Sequence, residues 1–226
     1  MSESILIVVA HPDDECFMGG TIARLGQEGH TVRVAVATDG VGARYGASDD
    51  AAIRRRAVEF DMACAMSGVL QCFGVGMSSR DNRLDTVPLL DLVQAVEKMK
   101  TQIQPSTVYT HHAGDLNIDH QLIARAVVTA TRPYPGQVVK NIYGFEVPGS
   151  TEWAVPGAVP FVPTRFVRLT EGQYYLKKQA LACYTSELRD APHPRSPAVV
   201  AALAEVRWSQ CGVELAEAFT VVREIV

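Results

Sequence analysis

No apolar run in this chain approaches the roughly 20 residues that a helix needs to cross a bilayer, so no membrane span is expected. The N-terminus lacks the charged start and the small-residue cleavage site of a secretory signal, and a cytoplasmic protein is the resulting expectation. Cysteine is scarce and unpaired in pattern. Cys16, Cys64, Cys72, Cys183 and Cys211 form no C-x-x-C pair and are odd in number, which argues against a disulfide framework and reads them as small buried hydrophobes. A formal net charge of -4 leaves no basic footprint for DNA or RNA, although local basic spots can still hold a small anionic ligand. The G-x-G-x-x-G fingerprint is missing after the first apolar run, so a simple dinucleotide site is not indicated. No internal repeat or low-complexity tract appears.

What is present is an ordinary soluble globular composition, 47% hydrophobic and 20% charged over 226 residues, enough for one sizeable core. β-branched runs at Ile5–Ala10, Thr31–Ala37, Thr107–Thr110 and Val139–Phe145, with a weaker one near Leu70–Phe73, read as strands. They alternate with amphipathic segments at Glu15–Glu28, Asp50–Ser67, Val87–Thr101 and Ile118–Thr131. That alternation predicts an α/β fold, a Rossmann-like three-layer α/β/α arrangement around a mostly parallel sheet. Beyond Pro148 the texture changes. Pro156, Pro160 and Pro163 mark an irregular stretch, followed by helices near Glu171–Ala182 and Pro197–Cys211 and a final strand near Glu217–Arg223. A single domain is expected, with residues 1–147 as the core and 148–226 as a C-terminal decoration on the substrate side.

The first strand ends in His11-Pro12-Asp13-Asp14. Pro12 cannot continue a sheet ladder, so the chain turns there. An imidazole and two carboxylates then meet at one strand end, and such groups are rarely buried unless paired or bound to a metal. A second polar cluster, His111-His112-Ala113-Gly114-Asp115-Leu116-Asn117-Ile118-Asp119-His120, follows the strand at Thr107–Thr110. Asn117 is suited to cap the following helix, which places His120 in its first turn. The helix dipole disfavours imidazolium there and leaves the neutral ring a metal requires. If the strand order is 3-2-1-4-5, the two clusters flank the point where the order reverses, the usual ligand crevice of such sheets. Two histidines and an aspartate with one open position describe a catalytic zinc site. Taken singly, each cluster also has a plain reading: Asp14 capping the helix from Glu15, and His120 as an ordinary helix-terminus residue. Cys16 lies two residues past Asp14 and is the one thiol near enough to join a metal.

Ala10-His11-Pro12-Asp13-Asp14-Glu15 and Asn117-Ile118-Asp119-His120 closely resemble the two signatures of the PIG-L/LmbE-like zinc-dependent de-N-acetylases. The resemblance runs along nearly the whole chain, through Asp81-Asn82-Arg83-Leu84-Asp85, Phe145-Glu146-Val147-Pro148, Ser150-Thr151-Glu152-Trp153, His193-Pro194-Arg195-Ser196 and Ala216-Glu217-Ala218-Phe219. It implies that His11, Asp14 and His120 hold Zn2+ or another divalent transition metal, and that Asp13 is the general base. Several relatives carry a histidine three residues before the last ligand, where it steadies the oxyanion. Asn117 stands there in this chain; its amide can donate a neutral hydrogen bond but cannot act as an acid. His112 and His193 are alternatives to Asp13 for protonating the leaving amine.

The resemblance also implies a small-molecule substrate, an N-acetylated sugar of the N-acetylglucosamine type, and it admits a homo-oligomer. Related readings are amide hydrolysis of a thiol-sugar conjugate or an antibiotic precursor, and a non-catalytic binding module that keeps the fold. Candidate substrate residues are Arg44 on the glycine-rich segment Thr38–Gly46, Arg56 within the run Arg54-Arg55-Arg56, Asp81, His112 and His193. Arginine forks suit phosphate, so a nucleotide-sugar or phospho-sugar is one option for the basic run; a solvated helix face is the other. Asp81 is suited to sugar hydroxyls or to loop solvation. Trp153 reads equally as a stacking platform or as core.

Overall fold

The computed structural model describes residues 2–43, 49–69, 71–74 and 80–226. β1 (Ser4–Val9), β2 (Thr31–Val36), β3 (Gln71–Gly74), β4 (Thr107–His111) and β5 (Asn141–Phe145) pair in parallel, and β6 (Arg165–Arg168) and β7 (Ala216–Arg223) extend the sheet antiparallel. The order is β3-β2-β1-β4-β5-β7-β6. β1 and β4 are therefore neighbours at the reversal, with Ile5 opposite Thr107 and Ile7 opposite Tyr109.

Strand alternation assigns the two faces. Ile5, Ile7 and Val9 pack with Ile22 of α1 (Gly19–Gln27), Phe60 and Ala63 of α2 (Asp50–Ser67), and Ala180 of α5 (Glu171–Cys183). Leu6, Val8 and Ala10 pack instead with Leu92 and Val96 of α3 (Leu89–Ile103) and Ile123 and Val127 of α4 (Ile118–Ala130). Because successive side chains leave a strand on opposite faces, a continuous apolar run such as β1 is what a sheet covered on both sides demands. The expected three-layer α/β/α fold is observed. α6 (Pro197–Cys211) packs beside β7.

Two local differences bear on the site. The first helix was expected from Glu15, yet Asp14–Met18 form a tight 3-10 turn and α1 begins at Gly19. The reason is at the helix start. The Gly20 and Thr21 N–H groups donate to the Glu217 carboxylate, which anchors the α1 N-terminus on β7. Second, the proline-rich stretch contains β6, which the sequence pattern did not predict. Its four residues, Arg165-Phe166-Val167-Arg168, are too short to show an alternation, and it lies at the sheet edge.

Candidate metal centre and active site

The loops after β1 and β4 meet at the strand-order reversal. His11 Nδ1 lies 3.2 Å from His120 Nε2 and 3.3 Å from Asp14 Oδ2, and His120 Nε2 lies 3.4 Å from the same oxygen. Donors about 2.0–2.1 Å from a tetrahedral ion are themselves roughly 3.3–3.4 Å apart. The three atoms thus already have the spacing of a metal's coordination sphere. Asp14 and His120 are fully buried, and Asp14 Oδ1 has no hydrogen-bond partner. The converging oxygen, Oδ2, accepts the His11 backbone N–H at 2.9 Å, and a buried carboxylate whose other oxygen has no partner is costly unless a cation offsets its charge, so the residues fit a divalent ion.

A second tier of carboxylates orients the imidazoles. His11 Nε2 lies 3.3 Å from both Asp119 and Asp81, and His120 Nδ1 lies 3.1 Å from Asp115 Oδ1. Each of the two converging rings therefore has an acid at its other nitrogen, the arrangement that fixes tautomer and ring orientation where imidazoles bind a metal. Asp115 is fixed in turn by the Ser150 hydroxyl, the Thr151 hydroxyl at 2.5 Å and the Asn117 N–H at 2.8 Å. Burial opposes protonation of His11, but Asp119 and Asp14 outweigh it and push its pKa up to about 10. Burial raises the Asp14 pKa, yet the imidazoles of His120, His111 and His11 hold the carboxyl well below its usual range. The pocket is built to hold positive charge.

In the sequence His111 stands in the second cluster without a role of its own. It stacks flat on His120, with ring centroids 4.0 Å apart and planes 1° apart, and its Nε2 accepts the Ala10 N–H at 2.8 Å. Burial, with His120 beside it, pushes its pKa down to about 3. A neutral ring there braces both ligand loops.

Asp13 is not among the donors of the ligand triangle. Its backbone sits at φ 116°, a conformation that is rare outside glycine and costs of order 1–3 kcal/mol. Glu15 Oε2 accepts the Asp13 N–H at 3.1 Å, and the Tyr184 hydroxyl donates to Glu15 Oε1 at 2.5 Å. The Asp13 carboxylate accepts a 2.6 Å hydrogen bond from Arg195 Nη1. Burial pushes the Asp13 pKa up to about 6 against the opposing charge of Arg195. Neither Glu15 nor Arg195 was assigned a role from the sequence. In the sequence Glu15 reads as the first residue of a helix, and Arg195 lies 182 residues from its partner in an irregular segment.

His11 and Asp13 open onto a cavity of about 500 Å³. Asp81, Asn117, His193 and Arg56 also line it. Arg56, expected to bind substrate, is buried, with Nη1 3.1 Å from the Gly40 carbonyl and Nη2 donating to Ser186 at 3.1 Å and to Glu187. Asp81 accepts from Thr38 at 3.2 Å and the Ala43 N–H at 2.9 Å. Both residues bound the cavity with most of their polar atoms engaged, so each helps to shape it. Gly40, at φ 69°, belongs to the same wall; a Cβ there would stand 2.8 Å from Pro12 Cδ. Asn117 caps α4, its Oδ1 accepting the Asp119 N–H at 2.8 Å, and its Nδ2 donates to Asn82 at 3.1 Å. His193 Nδ1 accepts the Arg195 N–H at 3.1 Å, which places the proton of the neutral ring on Nε2.

His112 is the correction. It was expected to contact substrate, but its Nε2 meets the Val159 carbonyl at 2.8 Å and its ring packs edge-on against Phe161. It lines a separate apolar cavity, because the next residue along an extended chain points the opposite way from His111. Cys16 is buried and donates to Glu15 at 3.4 Å; its thiol is absent from the ligand group. Arg44 lies outside the described residues.

The family described as PIG-L, GlcNAc-PI de-N-acetylase, matches residues 6–131, which carry both ligand loops. The chain belongs to the PIG-L family. It is 27% identical over 190 residues to the uncharacterized deacetylase YaiS of Escherichia coli K12, covering 81% of this chain and 91% of that protein. Among solved structures, N,N'-diacetylchitobiose deacetylase from Pyrococcus horikoshii superposes with a TM-score of 0.78 at 19% identity, over 98% of this chain and 84% of that one. GalB from Pseudomonas putida KT2440, a 4-carboxy-2-hydroxymuconate hydratase, superposes with a TM-score of 0.76 at 21% identity, over 99% and 98%. The fold thus hosts more than one chemistry, and the reaction has to be argued from the site.

Proposed function

We propose that this PIG-L-family chain hydrolyses the acetamide of an N-acetylated sugar, with zinc held by His11 Nδ1, Asp14 Oδ2 and His120 Nε2. The observation that carries the reading is the convergence of these three donors at 3.2–3.4 Å beside a carboxylate, Asp13, that does not join them. Two imidazoles and one carboxylate in tetrahedral spacing favour zinc over the oxygen-rich, higher-coordinate sites of calcium or magnesium. Bound there, zinc would polarise the amide carbonyl and acidify the attacking water.

The chain's own residues do the rest. Arg195 occupies Asp13 Oδ2, which leaves Oδ1 to accept the water's proton. The same oxygen hands that proton to the leaving nitrogen, so water and amide become acetate and free amine with Asp13 restored. His193 Nε2–H, on the cavity wall, would donate a hydrogen bond to the substrate and keep its proton. The Asn117 amide lines the cavity and would stabilise the oxyanion by leaving Asn82 for the substrate. The resemblance of the structure to a chitobiose deacetylase supports an N-acetylated sugar as substrate.

Zinc-loaded protein offered a panel of N-acetyl sugars should release acetate, and a chelator should abolish the release until zinc is restored. Chelator-insensitive release, or none from any member of the panel, would overturn the proposal. Water addition to an unsaturated acid in place of acetate release would move the chain to the hydratase side of the fold.

Arg195 supplies a pH test. Burial raises the Asp13 pKa and the guanidinium lowers it, so Arg195→Ala removes the lowering influence. The base must be ionised to work, and its pKa then rises. The acid limb of the kcat/KM profile should therefore shift to higher pH. A limb that stays in place would show that Asp13 does not set it.

A further inference from the structure

Asp13 and Asp14 are consecutive, yet their carboxylates go to different places. Asp14 turns into the ligand triangle and Asp13 onto the cavity wall. The split coincides with the φ of 116° at Asp13, and a residue with a side chain keeps such a backbone only where its surroundings over-determine it. The turn itself supplies little constraint. The Asp14 N–H meets the His11 carbonyl at 3.4 Å, and the Cys16 N–H meets the Asp13 carbonyl at 3.1 Å.

Glu15 supplies the rest. Its side chain is buried, and its carboxylate is met by three donors, none of them a cation. Oε2 accepts the Asp13 N–H at 3.1 Å, while Oε1 accepts the Tyr184 hydroxyl at 2.5 Å and the Cys16 thiol at 3.4 Å. Tyr184 is itself buried and ends α5, which packs against this turn. One oxygen is thus fixed to α5 and the other to the backbone of Asp13. Burying a carboxylate without an opposite charge is costly, and an apolar pair of the same shape could replace Glu15 and Tyr184 at little cost to stability. Packing alone therefore does not account for them. Arg195 holds Asp13 from its other end. It donates to Asp13 Oδ2 at 2.6 Å and to the Pro148 carbonyl at 3.3 Å, and its guanidinium carbon lies 5.7 Å from the Phe17 ring centroid.

We infer that Glu15, anchored by Tyr184, is a positioning residue that clamps the Asp13 backbone in the strained conformation presenting its carboxylate to the cavity. Glu15 neither lines the cavity nor joins the ligand group, so it acts through Asp13. The inference rests on the deacetylase reading, in which Asp13 is the base, and deepens it. Without the clamp the Asp13 N–H is left buried and unpaired, and rotation to negative φ relieves both that loss and the strain. Only the fraction of molecules still in the strained form can then turn over. Strain of the usual size for such a backbone makes that fraction about a tenth to a hundredth.

The test compares Glu15→Met, which keeps the buried length and removes the acceptor, with Glu15→Gln, which keeps an acceptor oxygen. Glu15→Met should lower kcat for acetate release by about 10- to 100-fold, with KM and metal content near those of the wild type. Glu15→Gln should restore most of the rate. Added to Asp13→Asn, Glu15→Met should cost nothing further, because residues that act as a unit are not additive. A second loss of the same size would make Glu15 a general structural residue and overturn the inference. The three-bond HN–Hα coupling of Asp13, read by NMR, reports φ directly and needs no substrate. It should be small in the wild type and in Glu15→Gln, and should rise in Glu15→Met as φ turns negative. An unchanged coupling or an unchanged kcat in Glu15→Met would equally sink the clamp. Should Glu15→Met alone not fold, Glu15→Met/Tyr184→Phe removes the stranded hydroxyl and takes its place in each comparison. If the wild type releases no acetate from any N-acetyl sugar, the deacetylase reading falls, and the coupling still decides whether Glu15 sets the Asp13 backbone.

Discussion

Asp13→Asn should lower turnover by about 10²–10⁴-fold, the usual contribution of a positioned general base, while the chain keeps its metal. The geometry separates the two outcomes. Asp13 lies outside the ligand triangle, so an amide in its place removes no donor from the ion. Folding should be unaffected, because asparagine tolerates the positive φ of 116° better than most residues do. The backbone N–H that Glu15 accepts is unchanged, and Arg195 can still donate to the amide oxygen. What disappears is an oxygen able to carry a proton from water to amine. Metal analysis on folded Asp13→Asn, alongside acetate release, checks both halves. Loss of the metal in that variant would make Asp13 a ligand and invalidate the division of labour between the adjacent aspartates.

That division was legible in part from the sequence. The apolar run of β1 broken by Pro12 marks a strand end, and β1 and β4 become neighbours in any sheet of order 3-2-1-4-5, which the structure has for its first five strands. Those two strand ends suffice to bring His11 and Asp14 to face His120, while the split between ligands and base comes from the resemblance to the family. The supporting residues are legible from neither. Asp115 and Asp119 look like ordinary loop or helix-cap acids, and Asp81 like a partner for sugar hydroxyls, until the fold sets all three behind the two imidazoles. Arg195 becomes visible only when the segment after α5 returns to the cavity, since local periodicity carries no information about a partner 182 residues away. His112 failed for the opposite reason. Its identity suggested chemistry, whereas the alternation of an extended chain sends it to the other side of the loop from His111. The basic run Arg54-Arg55-Arg56 shows a third limit. Its position three residues before Glu59 sets Arg56 on the inner helix face, and only the packing of α2 shows that its guanidinium is engaged in the cavity wall.

His120→Ala should abolish metal binding, and the loss should be more severe than the 10–100-fold typical of removing an outer partner. The reason lies in how the site is balanced without an ion. Asp14 is fully buried, and the imidazoles around it are what keep its carboxyl ionised against the penalty of burial. Removing His120 takes away one of three donors and also the largest favourable influence on Asp14. The remaining pair, His11 and Asp14, then faces two further acids, Asp81 and Asp119, across the His11 ring. Metal and proton compete for the same His11 nitrogen, and with two donors in place of three the ion competes less well. Wild-type metal affinity should accordingly fall as pH is lowered, and the variant should stay metal-free even at neutral pH. Metal content per folded chain, followed by mass spectrometry and with circular dichroism as the folding control, reads the outcome. Stoichiometric zinc and retained acetate release in His120→Ala would mean that the three converging donors are not the metal site.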